Sequence, residues 1–105
     1  KDLIISGGVN VYPRDIEEVA VQHPDVLDVA VFGAADDKWG ESPIAAVRLR
    51  PGATIDAAAL KEWINERVAA RYQRVREVLV RPEFPLSVAG KTLRRVIRDE
   101  YLEGE

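Results

Sequence analysis

Along this chain apolar positions recur in short blocks, some alternating and some spaced three or four apart. Leu3-Ile4-Ile5 is an apolar run and Val9-Asn10-Val11-Tyr12 alternates. Ser6-Gly7-Gly8 separates the two, a tight-turn signal that predicts a small hairpin. Pro13 suits the first turn of a helix, with Asp15, Glu17 and Glu18 near its positive end and Ile16, Val19 and Ala20 on one face. His23-Pro24 closes that helix, because a residue before proline avoids the α region.

Val26 to Phe32 reads as a mostly buried strand carrying one charge, Asp28. Gly33 to Pro43, rich in glycine, aspartate and proline, reads as a loop with Trp39 in its middle. Ile44 to Leu49 is a second strand, closed by a Pro51-Gly52 turn. Thr54 or Asp56 caps a second helix running to about Ala70, with Leu60, Trp63, Ile64 and Val68 as its apolar stripe. Val75 to Val80 is a third strand, and Thr92 to Tyr101 a short final helix with Leu93, Val96 and Ile97 inward. The expected fold is α+β: an N-terminal β-hairpin, then a roughly three-stranded sheet packed by about three helices, with residues 1–105 as one domain.

Composition narrows the chemistry. The 105 residues are 47% hydrophobic, enough for one modest core. There is no cysteine, which excludes disulfides, thiolate metal sites and a cysteine nucleophile, and fits a reducing compartment such as the cytoplasm. No apolar run reaches the length of a membrane span. The chain opens on Lys1 and contains no methionine, so the expectation is a piece of a longer polypeptide.

The net charge of −3 hides an asymmetry. Residues 1–66 carry six basic and twelve acidic side chains, whereas residues 67–98 carry nine basic and two acidic ones. A cationic block is a plausible landing site for a polyanion, or simply a solvated face.

Within that block, Pro85-Leu86-Ser87-Val88-Ala89-Gly90-Lys91-Thr92 presents one ammonium from a loop of small residues. An ammonium so placed suits a phosphate or a carboxylate. Gly90-Lys91-Thr92 is not a Walker phosphate loop, because that motif needs a glycine where Pro85 stands. Tyr72, Arg74 and Arg76 alternate toward the third strand, and period two puts them on one face, fit for a stacked base with phosphates or for a solubilised edge. Trp39 caps the end of the sheet or offers a flat surface to a ligand. Asp36 and Asp37 lack further ligands for a metal, so no metal site is assigned, and His23 is read as structural.

In order along the chain, these pieces resemble the C-terminal domain of the adenylate-forming enzymes, specifically acyl-CoA and aryl-CoA synthetases. The matching stretches are residues 1–13, Ile16-Glu17, His23-Pro24, Val29-Ala30-Val31-Phe32-Gly33, Asp36, Trp39-Gly40-Glu41, and Gly90-Lys91 with Leu93-Arg94-Arg95. Phe84-Pro85 stands where many members have Leu-Pro, a mild departure. The resemblance implies a ligase that activates a carboxylic acid with ATP and Mg2+ to an acyl-adenylate, then passes the acyl group to coenzyme A. It implies a mobile lid that turns between the two steps against its own N-terminal domain, which would hold the metal and the acyl pocket. By the same likeness Lys91 is the lysine of adenylation and Lys1 the hinge. Gly7 and Gly8 form the loop used in thioester formation, and Trp39, Tyr72, Arg74 and Arg76 contact coenzyme A.

Two other readings are open. One is an adenylation domain that loads a carrier protein's phosphopantetheine, or a luciferase-like oxidase. The other is a nucleotide- or RNA-binding module, against which the overall acidity argues.

Overall fold

The computed structural model describes residues 3–104. Strands β1 (Ile4–Ser6) and β2 (Val9–Val11) form the expected hairpin, with Ile4 opposite Val11 and Ser6 opposite Val9. Helix α1 (Pro13–Ala20) begins on its proline, whose fixed φ suits the first turn and whose missing N–H would have had no helical partner. It ends as expected before His23. That imidazole is nearly buried: its Nδ1 accepts the Asp25 N–H at 3.0 Å and its ring meets Trp63 edge-on at 4.8 Å. These contacts serve packing and give the histidine a structural role.

The largest departure from expectation lies between residues 33 and 43. Instead of a loop, β3 (Val26–Asp36) and β4 (Gly40–Leu49) continue as one long antiparallel ribbon, pairing Gly33 with Pro43 and Asp36 with Gly40. Gly33 sits in a crowded spot rather than at a turn: a Cβ there would come within 3.2 Å of both Ile4 and Glu41, whose side chains would have to give way. Pro43 is tolerated because of where its missing donor falls. Its carbonyl accepts the Arg76 N–H at 2.9 Å, so its nitrogen faces the same edge, between the segments of β4 that pair with β1 and with β5. An irregularity between Val26 and Asp28 shifts the register, and lets Val26 share a core with Val29 and Val31.

Helix α2 (Ala57–Asn65) is capped by Asp56, which accepts the Ala59 N–H at 2.7 Å. It stops well short of Ala70. The Asn65 carboxamide brackets the Val75 peptide, donating to its carbonyl at 3.0 Å and accepting from its N–H at 2.8 Å. A single 3-10 turn (Arg71–Gln73) follows, and β5 (Glu77–Val80) then runs parallel to β4. Helix α3 (Arg94–Glu103) starts after Thr92, which is engaged in a bridge with Leu86.

One five-stranded sheet results, ordered β2-β1-β4-β3, with β5 also on β4. The hairpin is therefore joined to the three longer strands, through Ser6 and Gly40. Alternation along the ribbon divides its side chains between two cores. Val31, Ala45 and Val47 pack with α1 and α2 through Ile16, Leu60 and Ile64. Ala30, Phe32, Ile44 and Ala46 pack with α3 through Ile97, and with Phe84. Each fully buried Ile or Leu contributes about 1.5–3 kcal/mol. Among the described residues no helix is long and apolar enough to cross a membrane.

Strand β3 lies at an edge of the sheet, and side chains cap its backbone groups there. The Glu17 carboxylate accepts the Val31 N–H at 2.8 Å, and the Arg98 Nε donates to the Gly33 carbonyl at 2.9 Å. Arg76 donates to the Ala35 carbonyl at 3.0 Å. Glu17 also pairs with Arg94 at 2.7 Å, so helices on opposite faces of the sheet are tied around its edge. Such side chains seal an edge against another strand.

Glu17→Ala should cost about 1–3 kcal/mol, because it strands both a strand N–H and a partly buried guanidinium. Urea denaturation checks this: the midpoint should fall with little change in slope, and an unchanged midpoint would show that the edge contact contributes nothing.

Candidate functional site

The turn joining β1 to β2 is built from Gly7 and Gly8, with φ of 58° and 80°. Left-handed angles at both central positions are the geometry of a two-residue hairpin turn that follows strand twist. Gly7 is doubly constrained. Its N–H donates to the Trp39 carbonyl at 2.7 Å, and a Cβ there would come within 3.1 Å of the Trp39 ring. Around Gly8 there is open space.

Trp39 sits at the tip of the β3–β4 ribbon and remains half-exposed. Asp36 shapes that tip. Its Oδ1 accepts the N–H groups of Lys38 and Trp39 at 2.8 and 3.0 Å, and its Oδ2 accepts a short hydrogen bond from the Ser42 hydroxyl. Arg76 lies 3.6 Å from the same oxygen. The Ser42 bond above all, with the Lys38 and Trp39 N–H groups and the Arg76 charge, holds the Asp36 carboxyl below its ordinary range against an opposing desolvation. Lys38 extends over the Trp39 ring, 5.0 Å from its centroid.

Tyr72, Arg74 and Arg76 do not lie on one strand face. Tyr72 is inside the 3-10 turn, Arg74 ends it, and β5 begins only at Glu77. The turn nevertheless brings all three to the glycine hairpin and the ribbon tip. Gly7, Trp39, Tyr72, Arg74 and Arg76 line one open cleft of about 580 Å³. Two half-exposed aromatic rings stand in it among cations, an arrangement fit for a flat heterocycle carrying phosphates. Gly8 adjoins this cleft without lining it. Arg71, Lys38, Asp36 and Ser42 also line it and were not assigned to it from the sequence. The spacing of Arg71 three residues before Arg74 would have marked it, had a 3-10 turn been expected there.

Lys91 belongs to a different place. Its loop is a small closed structure. Leu86 bridges Thr92, the Ser87 N–H donates to the Lys91 carbonyl at 2.8 Å, and the Lys91 N–H donates to the Ser87 hydroxyl at 3.1 Å. Gly90, with φ of 85°, supplies the turn that aims Lys91 outward. Lys91 is exposed, and among the described residues no carboxylate pairs with its ammonium. Val88 beside it is fully exposed. Lys1, the expected hinge, lies outside the described residues.

The cationic block does not form one face. Arg94 is held by Glu17, Arg81 by Glu100 at 2.9 Å, and Arg98 by the Gly33 carbonyl. Arg67 stacks on Trp63 at 4.0 Å, and Arg76 is held at Asp36. A second recess of about 390 Å³ contains Arg94, Arg95 and Arg98 beside Glu41, and is largely this seam of structural contacts. No cluster of three His, Asp or Glu side chains among the described residues could hold a metal ion.

Comparison with known proteins fits this arrangement. The family model for the AMP-binding enzyme C-terminal domain matches residues 15–91. A 2-succinylbenzoate–CoA ligase from Geobacillus kaustophilus is 44% identical over 97 residues, covering 92% of this chain and 20% of its own length. Apo MatB from Rhodopseudomonas palustris superposes with a TM-score of 0.89 at 35% identity, over 96% of this chain and 20% of that one. A double mutant of o-succinylbenzoate CoA synthetase from Bacillus subtilis, bound with its product analogue OSB-NCoA, gives 0.82 at 39% identity, over 93% and 20%. The chain thus spans about one fifth of the length of the curated relatives it matches.

Because the Asp36 carboxyl is held low in the fold, its contribution to stability is present above the unfolded value of about 3.9 and is lost as pH falls through the lowered one. Asp36→Asn should therefore be less stable than wild type at neutral pH. Thermal melts along an acid series should converge as pH falls through the lowered value. A constant gap between the two proteins at every pH would contradict this.

Proposed function

The chain belongs to the AMP-binding enzyme C-terminal domain family, and from that premise we propose that it works as the mobile lid of an ATP-dependent carboxylate–coenzyme A ligase. The observation that carries the reading is that this small domain presents two separate cationic features. One is a lone outward lysine on a closed loop, and the other is a cleft with two aromatic walls and arginines at its rim. A lid that serves two reactions in turn needs two such faces.

In the first reaction a carboxylate oxygen attacks the α-phosphorus of ATP and pyrophosphate leaves. Negative charge spreads over the oxygens around phosphorus, and the Lys91 ammonium would meet it there. A positioned cation gains most when charge peaks in the transition state. In the second reaction the thiol of coenzyme A attacks the acyl carbonyl and AMP leaves. Gly7 and Gly8 offer backbone without side chains, past which a slender pantetheine arm can run. The Trp39 and Tyr72 rings would receive the adenine, and Arg74 the phosphates.

The coenzyme A assignment is supported by the relatives named above as CoA ligases and by the product analogue bound to the Bacillus subtilis protein. The ATP phosphates, Mg2+ and the acyl group would be held by an N-terminal domain of the same polypeptide, with Lys1 as the hinge. The 105-residue chain would then be inactive alone, and the intact enzyme would work in the cytoplasm.

In the intact polypeptide carrying this domain, Lys91→Ala should slow acyl-adenylate formation, followed by pyrophosphate release, by about 10²–10³-fold. Thioester formation from supplied acyl-adenylate should suffer far less. Arg74→Glu should show the opposite preference, raising KM for coenzyme A more than for ATP. Equal losses in both half-reactions for each variant would contradict the division of roles.

A further inference from the structure

The leg of the glycine hairpin is joined to the ribbon by very little main chain. Among the described residues β1 pairs with β4 only where Ser6 stands opposite Gly40, and the Gly7 N–H adds a bond to the Trp39 carbonyl. The alternation of an antiparallel ladder brings Ile5 opposite Glu41 next. There the Ile5 N–H donates, at 3.0 Å, to Oε1 of the Glu41 side chain. A carboxylate serves where a continued ladder would offer a main-chain carbonyl.

Glu41 reaches that N–H because of what surrounds it. It is the second residue of β4, opposite Ala35 in the ribbon. Its carboxyl group leans over Gly33, where a Cβ would come within 3.2 Å of Cδ and Oε2. The absence of a side chain at Gly33 leaves the carboxyl room between β3 and β1. Glu41 also lines the recess that contains Arg94, Arg95 and Arg98, so a carboxylate here faces cations. Two of those arginines are engaged elsewhere, Arg94 with Glu17 and Arg98 with the Gly33 carbonyl. Among the described residues the side-chain hydrogen bond of Glu41 goes to Ile5.

We propose that Glu41 is a positioning residue for thioester formation: its carboxylate fixes the leg of the hairpin, and through it the Gly7-Gly8 turn along which the thiol arm passes. The assignment rests on the reading of that turn as the loop of thioester formation. Glu41 acts through the Ile5 peptide rather than on the thiol or the adenylate. Burial of Ile4 and Val11 keeps the hairpin on the core, but apolar contact is non-directional and does not fix its angle. Without the carboxylate the hairpin keeps its own β1–β2 pairing, is tied to the ribbon near its tip alone, and can tilt as a unit. A displacement of about 1 Å at the turn is enough to cost a reaction about a hundredfold. Reach, rather than charge, is what the Ile5 N–H requires. Glutamine presents an amide oxygen at the same distance, whereas aspartate keeps the charge and falls one methylene short.

In the intact enzyme Glu41→Ala should slow thioester formation from supplied acyl-adenylate about ten- to a hundredfold. The rate of adenylation and KM for coenzyme A should each stay within about twofold of wild type, the scatter for substitutions outside a contact. Glu41→Gln should restore most of the lost rate, and Glu41→Asp should not. By hydrogen exchange the segment of residues 4–9 should exchange faster in Glu41→Ala and Glu41→Asp, with residues 26–32 unchanged. A Glu41→Asp enzyme as fast as wild type beside a slow Glu41→Gln would overturn the assignment, because charge beside the arginines would then be what counts. Equal slowing of both half-reactions would overturn it as a general loss of stability. Gly8→Val, which adds a side chain at the open turn, separates the assignment from the reading beneath it. If Gly8→Val slows thioester formation and Glu41→Ala does not, the assignment alone falls; if neither does, the reading of the hairpin falls with it.

Discussion

Glu17 and Arg94 hold the two halves of this domain together. They are 77 residues apart in sequence, and one sits on each side of the sheet, on the helices that cover its opposite faces. Their carboxylate and guanidinium meet at 2.7 Å around the open edge of β3, where Glu17 also caps the Val31 N–H. Both side chains are less than a third exposed, so the pair is less screened than a surface ion pair. The start of α3 is fixed by the same contact, and the Lys91 loop ends just before that helix. Sheet edge, α1 and the start of α3 thus meet at one joint.

A second acid–base joint works at the far end of the same strand. Asp36 gathers the Ser42 hydroxyl, two backbone N–H groups and Arg76, and so gives the ribbon tip a fixed shape. Trp39 is thereby set against Gly7, and the 3-10 turn packs beside β2 to complete the cleft. The long pairing of β3 with β4 is what separates the two joints. Near the ribbon's middle one joint holds the start of α3, just after the Lys91 loop, and at its tip lies the cleft. Under the proposed function, that separation would give the lid its two faces.

Much of this was legible from local pattern, because local pattern decides those pieces. Pro13 and Asp56 start helices by satisfying or omitting N–H groups, and Gly7-Gly8 can make a tight hairpin where other residues would be strained. Elsewhere tertiary contacts overrode the signal. Gly33, Asp36, Asp37 and Pro43 read as loop residues, yet the ribbon runs through most of them: Gly33 fits a crowded spot beside Ile4 and Glu41, and a gap in pairing admits the proline. The end of α2 was misplaced because it depends on Asn65 bracketing Val75, a contact across ten residues. The cationic block looked like a landing site in sequence, and most of its arginines are engaged in holding the fold. For the candidate site, several residues of the cleft were recognisable in sequence, but the turn that gathers them was not. A strand period groups Tyr72, Arg74 and Arg76, and the 3-10 turn adds Arg71 to the same cleft.

The central claim is that the two faces act at different times. Hydrogen exchange by mass spectrometry on the intact polypeptide tests it most directly, with a non-hydrolysable acyl-adenylate analogue alone and then with coenzyme A added. The analogue alone should protect the segment around residues 86–92. Addition of coenzyme A should release that segment and protect residues 5–9 and 37–41 instead. Protection of both segments in the same state, or no exchange between them on adding coenzyme A, would contradict the account.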